Sequence, residues 1–432
     1  MTRMRCALVL FTATALIPPA SVLHAQDSIA VQQLLRHALP VHLENGTLSG
    51  AGAAALAAEL DSSQFFLIGE SHGFAEVPAL TAALFDIARP KGYRHLAIEV
   101  GPFSASHVQS LAAAPLRDSA FARFHAQFPF TLSFYMWRDE QAMAQHVVSS
   151  LSPGRDLLWG LDQEVMFAPA FLLRDVADSA SEATRRAADS VARRAGELHK
   201  EMLRTRNPMA VYMMAASDSE IEAVRTRLAN GKRTFPSAIF DEMIESRHIY
   251  KAFFGGAGWE SNSRRAALMK RHFRAYYDRA TAAGERQPKV MFKFGANHMM
   301  KGREITNTYD LGSLANEIAV SNGSKAFNLL VVIAKGTQNA WLPFAGAEAD
   351  KSRPFTPAQD RTGELQALGV AALLGAAPDT AAWTLLDTRR LRPELSARRL
   401  GTVSTELERL VWAYDAVLVI PTGHAATLAS DR

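Results

Sequence analysis

Phe65-Phe66-Leu67-Ile68-Gly69-Glu70-Ser71-His72-Gly73-Phe74 is the stretch that decides the fold class. A short apolar run is cut off by glycine and followed by polar residues and a second glycine, so it reads as a buried strand running into a turn. Beyond the turn, Val77, Leu80, Leu84 and Ile87 recur at helical spacing until Pro90, which predicts a helix from about Phe74 to Ala88. Strand, turn and amphipathic helix in that order open a βαβ unit.

The pattern repeats outward from this point. Strand-like runs stand at His95–Ile98, Leu157–Leu161, Val290–Phe294, Leu329–Ala334 and Ala416–Ile420. Their alternation with helical sequence predicts an α/β fold with a mostly parallel sheet flanked by helices. From about Ala168 to Gly284 the strand signals stop and Ala/Arg/Glu/Met-rich helical sequence replaces them, so a helical insertion covering the strand-end site is expected. The expected division is a signal peptide at 1–25, a first core part at 26–167, the insertion at 168–284 and a second core part at 285–432. Gly255-Gly256 and Pro288 punctuate the chain near the end of the insertion, and Ser261 or Ser263 is expected to cap the helix carrying Arg264 and Arg265. Arg185-Arg186 and Arg193-Arg194 read as solvated helix faces, and the Pro/Ala/Gly-rich stretch from Pro343 to Pro378 as a second linker.

The N-terminus has the form of an export signal: Arg3 and Arg5, an apolar run from Ala7 to Ile17, and Ala25 before Gln26-Asp27. A periplasmic or secreted chain is therefore expected. The apolar run is shorter than the roughly 20 residues a membrane span needs, and no second candidate follows. Cys6, the only cysteine, lies in the signal, which removes disulfides, a cysteine nucleophile and thiolate metal sites from the mature chain. The net charge of +4 falls to +2 without Arg3 and Arg5, too small an excess to call for nucleic acid. A small-molecule substrate is the expected partner.

In open parallel sheets ligands bind beyond the carboxyl ends of the strands. Glu70 and His72 follow the first strand, Glu99 ends the second, Asp162 ends the third and His298 follows the fourth. Two histidines and three acids at separate strand ends point to one shared site. A histidine can take a proton from water while a carboxylate orients it, and a second histidine can protonate a leaving group or polarise a carbonyl. The same set can ligate zinc or manganese, and both readings stay open at this level. Gly69-Glu70-Ser71-His72-Gly73 also satisfies G-x-S-x-G, with Asp415 and His424 downstream as triad partners. That elbow normally follows several strands, whereas residues 26–68 show no obvious strand series. Glu76, four residues after His72, either points back at the site or complements the helix dipole. Arg265 is expected to bind an anionic or carbonyl group, and Lys293 to face solvent.

In this order the motifs resemble the erythromycin esterase-like proteins: Gly69 to Gly73 with Glu76, the strand ending in Glu99, Trp137 to Gln141, Gly160-Leu161-Asp162, the Arg265 to Met269 helix and the strand leading to His298. The resemblance extends over most of the mature chain. It implies an α/β core with a helical insertion over the site and hydrolysis by histidine-activated water. It makes His72 the general base, Glu70 and Glu99 its carboxylate partners, and His298 a second catalytic or orienting group. Glu76, Asp162 and Arg265 form the expected substrate-binding set. Two positions depart from the family: it usually has one more residue between the motif glutamate and histidine, and another histidine where Gly295 stands. Gly69-x-x-His72 and Gly295-Ala296-Asn297-His298 look like the Gly-x-x-His elements of the TIKI/TraB group, which includes metal-dependent peptidases. The first also resembles the haem-binding ChaN-like proteins. The leading expectation is an exported hydrolase of an ester, lactone or related bond that needs no cofactor. The alternatives are an enzyme with zinc or manganese on His72, Glu70 or Glu99, and His298, and a non-catalytic binder of haem or another ligand.

Overall fold

The computed structural model describes residues 20–229, 234–339, 352–355, 367–376 and 382–429. Most of the expected signal and much of the expected 343–378 linker lie outside the described residues. Two short strands absent from the sequence reading come first, β1 (Leu39–Glu44) and β2 (Thr47–Ser49), an antiparallel hairpin turned at Asn45-Gly46. The expected strands follow as β3 (Phe65–Glu70), β4 (Tyr93–Ile98), β5 (Leu158–Gly160), β6 (Lys289–Gly295) and β7 (Ala326–Asn339). Two more unread strands, β8 (Ser352–Phe355) and β9 (Trp383–Asp387), precede the expected β10 (Ala416–Gly423).

The strands form one sheet in the order β2-β1-β9-β10-β7-β3-β6-β4-β5, with β8 added to β7. Pairing is parallel from β10 to β5 and antiparallel among β10, β9, β1 and β2 and between β7 and β8. The parallel strands are buried on both faces, which is why they read as continuous apolar runs. The unread strands are short and, in β1 and β2, mostly exposed, so they give no such run.

Before β6 the helices are α1 (Ala20–Leu35), α2 (Ala51–Ser62), α3 (Glu76–Ala88), α4 (Pro102–Ala112), α5 (Arg117–Gln127) and α6 (Arg138–Ser150), then α7 (Pro169–Asp178), α8 (Glu182–Thr205), α9 (Tyr212–Ala215), α10 (Asp218–Ala229), α11 (Phe235–Phe254) and α12 (Gly258–Ala282). Among the described residues between β5 and β6, the run from α7 to α12 contains no strand, and α13 (Leu311–Ser321) precedes β7. Because α12 starts at Gly258, Ser261 and Ser263 lie inside it and cap nothing; the Ser261 hydroxyl instead donates to the Ile249 carbonyl of α11. Arg185, Arg186, Arg193 and Arg194 on α8 are exposed, as their pattern suggests.

Side chains alternate along β3 between two cores. Phe66 and Ile68 pack with Leu56, Leu80, Leu84, Val108 and Val147 on one face. Phe65 and Leu67 pack with Phe273 and Tyr277 of α12 and Leu311 of α13 on the other. Each such side chain stabilises the sheet by about 1.5–3 kcal/mol on burial. From β3 the chain moves through α3 to β4 on one side of β6, and from β6 it moves through α13 to β7 on the other side of β3. The two connections diverge at the β3/β6 pair. That makes a topological switch point, with a crevice beyond the carboxyl ends of the two strands.

Candidate active site

The β3/β6 register sets Glu70 beside Gly295, and the β4/β6 register sets Ile98 beside Lys293, so Glu99 falls immediately beyond. Glu70 and Gly295, 225 positions apart in the chain, and Ile98 and Lys293, 195 apart, thereby meet across the sheet. His72 follows β3 by two residues. Its Nδ1–H donates to Glu70 Oε1 at 2.9 Å, and its Nε2 lies 3.4 Å from Glu99 Oε2. His298, on the short turn after β6, repeats the arrangement: Nδ1–H donates to Asp310 Oδ2 at 2.6 Å and Nε2 lies 3.4 Å from Glu99 Oε1. Glu99 thus stands between the two Nε2 atoms, and a continuous chain runs Glu70, His72, Glu99, His298, Asp310.

Glu99 is held from two further directions. The Gly295 N–H donates to Oε2 at 2.5 Å, and Arg265 Nη2 donates to Oε1 at 2.9 Å. Arg265 is itself gripped by Asp162, with Nε to Oδ1 at 2.8 Å and Nη2 to Oδ2 at 2.5 Å. At Gly295 a Cβ would stand 3.1 Å from His72 Nε2 and 3.4 Å from Glu99 Oε2, so glycine keeps the approach between the two groups open. On the other side of His72, the Phe134 ring lies 4.3 Å away, tilted by 30°. Phe134 has φ +64°, a strained conformation for a phenylalanine. Its loop and the His72 loop are both pinned by the C-terminal segment: Ala425 bridges Phe74, Leu428 bridges Trp137, and the Ala426 N–H donates to the Gly73 carbonyl. Gly73, at φ +89°, lets the end of β7 pass close by, because a Cβ there would collide with the Asn339 carbonyl.

Behind Glu70 lies Lys293, whose ammonium donates to Glu70 Oε1 and to Glu140 Oε1, both at 2.5 Å. Lys293 is only 5% exposed, which corrects the expectation that it faces solvent: the lysine completes a buried acid–lysine–acid triple instead. Burial alone would lower both histidines, but the carboxylates outweigh it. Glu99 and Glu70 push His72 up to about 10, and Asp310 and Glu99 push His298 up to about 10 against the opposing charge of Arg265. The same pairs hold Glu99 well below the usual carboxylate range despite its burial. With a carboxylate at each ring nitrogen, both histidines rest as imidazolium cations. His72 alone in this chain has a substantially open edge, with 30% of its side chain exposed against 3% for Glu70 and 6% for Glu99.

Of the residues singled out in the sequence, His72, Glu70, Glu99, His298, Asp162 and Arg265 meet in this one network. Glu76 does not join it. Its carboxylate takes the His424 N–H at 2.9 Å and pairs with His424 Nδ1 at 2.6 Å, fastening the C-terminal segment to the start of α3. The serine triad is not assembled: Asp415 and His424 bracket the eight residues of β10, roughly 30 Å apart at the strand rise, and Asp415 is engaged by Lys301 and Arg392. Glu140, Asp310 and Phe134 were not foreseen. Both Glu99 oxygens, which a divalent ion there would have to share, already accept from Gly295 and Arg265. Among the described residues no three His, Cys, Asp or Glu side chains are grouped to hold one. No helix among the described residues is long and apolar enough to cross a membrane.

No family model matches the sequence, and no curated protein matches it either. Solved structures do. The chain is similar to a Bacillus cereus protein at 12% identity and a TM-score of 0.55, covering 93% of this chain and 99% of that one. It is similar to a histidine-to-asparagine mutant of the erythromycin esterase EreC in its open conformation, at 15% identity and a TM-score of 0.51, covering 87% and 95%. A succinoglycan biosynthesis protein matches at 14% identity and a TM-score of 0.53, covering 93% and 98%. At these identities the likeness is one of fold.

Proposed function

We propose that the chain is a hydrolase of the erythromycin esterase-like type that cleaves an ester, lactone or related bond with water activated on His72. The observation that carries the reading is the Glu70–His72–Glu99–His298–Asp310 chain at the sheet's switch point, with one histidine edge open to the cleft. The His72 side chain is 30% exposed, and its Nε2 contact with Glu99, at 3.4 Å, is looser than its Nδ1 contact, so water and substrate approach the ring from its exposed edge. Once Nε2 has given up its proton, it takes one from water as the oxygen attacks the carbonyl carbon, and Glu70 holds the ring by Nδ1. The resulting oxyanion forms among fixed cations, and collapse expels an alkoxide that takes a proton from His298 Nε2. The new carboxylic acid returns that proton to His298 and leaves as the carboxylate, so ester and water give carboxylate, alcohol and the proton that His72 released at the outset, with both histidines again protonated. The EreC likeness in fold and the motif order support the reaction class.

The test is a panel of esters and lactones assayed with wild type and His72→Ala, alongside circular dichroism to verify the fold. A loss of about 10²–10⁴-fold in kcat/KM is expected for a missing general base. Turnover retained by a folded His72→Ala protein ends the proposal. Because the free base must form from a cation whose pKa lies near 10, kcat/KM is also expected to climb from pH 6 to pH 9. Export is part of the reading, carried by Arg3, Arg5 and the Ala7–Ile17 run. A chain of full mass recovered from the cytoplasm alone would remove it.

A further inference from the structure

Two cations compete for one oxygen in this site. Glu70 Oε1 accepts from His72 Nδ1 at 2.9 Å and from Lys293 Nζ at 2.5 Å, while Lys293 divides its donors between that oxygen and Glu140 Oε1. Glu140 touches neither the histidine nor the open edge of the cleft. It stands in the first turn of α6, buried, and reaches the site only through the lysine. We propose that Glu140 is a positioning residue that acts on His72 through Lys293: by drawing the ammonium towards itself, it leaves Glu70 Oε1 free to hold the His72 proton.

The charge arithmetic fixes the sign. With Glu140 ionised, Lys293 is shared and Glu70 presents most of its negative charge to the imidazolium. With Glu140 neutral, the whole ammonium falls on Glu70 and the histidine gives up its proton more readily. The titratable groups that act on Glu140 come from three sides: Lys293 on β6, Glu70 and His72 at the end of β3, and the buried Tyr135 hydroxyl before α6. Burial, opposed by Lys293 and assisted by Glu70, pushes the Glu140 carboxyl up to about 7, so its charge state changes near neutral pH. The consequence is a site whose base is freed when an acid behind it is neutralised, an effect that no contact of Glu140 with substrate is needed to produce.

The proposal rests on His72 being the base of the hydrolytic reading, and its test is readable without turnover. The full chain is labelled at histidine Cε1, the His72 resonance is assigned from its absence in His72→Gln, and its titration is followed by NMR. Glu140→Gln keeps the shape of the side chain and removes the charge. It is expected to lower the His72 midpoint by about 0.5–1 pH unit, a three- to tenfold gain in free base at fixed pH, and to move the acid limb of kcat/KM by the same amount with KM unchanged at the plateau. Lys293→Met removes the competitor and is expected to move the midpoint the other way. An unmoved midpoint in folded Glu140→Gln, or a lowered one in Lys293→Met, overturns the proposal. If His72→Ala keeps its activity while both shifts appear, the hydrolytic reading fails and the electrostatic coupling stands.

Discussion

Asp162 and Glu164 are two residues apart after β5, and each leads into a buried cluster of acids and a histidine. Asp162 grips Arg265, and through it Glu99 and the two site histidines. Glu164 turns the other way. It accepts the Phe103 and Ser104 N–H groups at 2.8 and 3.2 Å and the Ser104 hydroxyl, which fills the donors at the start of α4. Its own N–H donates to the Ser246 hydroxyl of α11, and beside it Glu242 pairs with His272, whose Nδ1–H donates to the Leu161 carbonyl. Burial of charge is common to both clusters, so burial alone does not mark a site. The difference lies in the partners. Glu164 ends on backbone donors and hydroxyls that cannot titrate, and His272 is 11% exposed; the acids around His72 end on groups that exchange protons, and the histidine reaches the cleft.

The sharpest way to break this contrast is to neutralise one acid in each cluster. Glu99→Gln is expected to lower kcat by about 10²-fold or more, because it releases both Nε2 atoms and Arg265. Glu164→Gln should stay within about twofold of wild type in the same steady-state assay, since it lies outside the proton chain. Comparable losses in both would dissolve the distinction. Stability should respond in the opposite sense: Glu164→Ala leaves several buried donors at the α4 start without an acceptor and is expected to cost about 3 kcal/mol, seen as a lowered urea midpoint.

A smaller effect, resolved by pH, separates the clusters by sign. The histidines hold Glu99 below its unfolded value despite burial, so its contribution to stability is present above about pH 4.5 and is lost as pH falls through the folded value. Burial raises Glu164 to about 7, so its contribution is present below about pH 4.5 and is lost as pH rises through 7. Urea midpoints from pH 3 to pH 8 should therefore flatten on the acid side in Glu99→Gln and between pH 5 and pH 8 in Glu164→Gln. Unchanged slopes in both variants would mean that neither acid is coupled as the geometry indicates.

Several of the unforeseen residues left marks in the sequence. Lys293 interrupts Val290-Met291-Phe292-Lys293-Phe294, and a lone lysine in a strand buried on both faces must find a carboxylate. Asp310 precedes the helical pattern from Leu311, and its Oδ1 caps that helix by accepting the Leu311 N–H while Oδ2 takes His298. Asn45-Gly46 between two short extended runs is a hairpin signal for β1 and β2. Glu140 sits in the Trp137 to Gln141 segment, yet nothing local distinguishes it from Asp139 beside it, which stays at the surface and accepts the Thr427 N–H.

By itself the sequence determined the parallel α/β core, because strands buried on both faces must be apolar throughout and stand out against amphipathic helices. It also determined which strand ends carry titratable side chains, since turn residues after an apolar run are readable one strand at a time. Strand order and register were decided only by the tertiary structure. The order inserted β6 between β3 and β4, and the register set Glu70 beside Gly295, bringing Lys293 under one histidine and Glu99 between two. Proton affinity was settled there as well: it depends on charges a few ångströms away in space, and Glu99 reaches His298, and Lys293 reaches Glu70, from positions far apart in the chain.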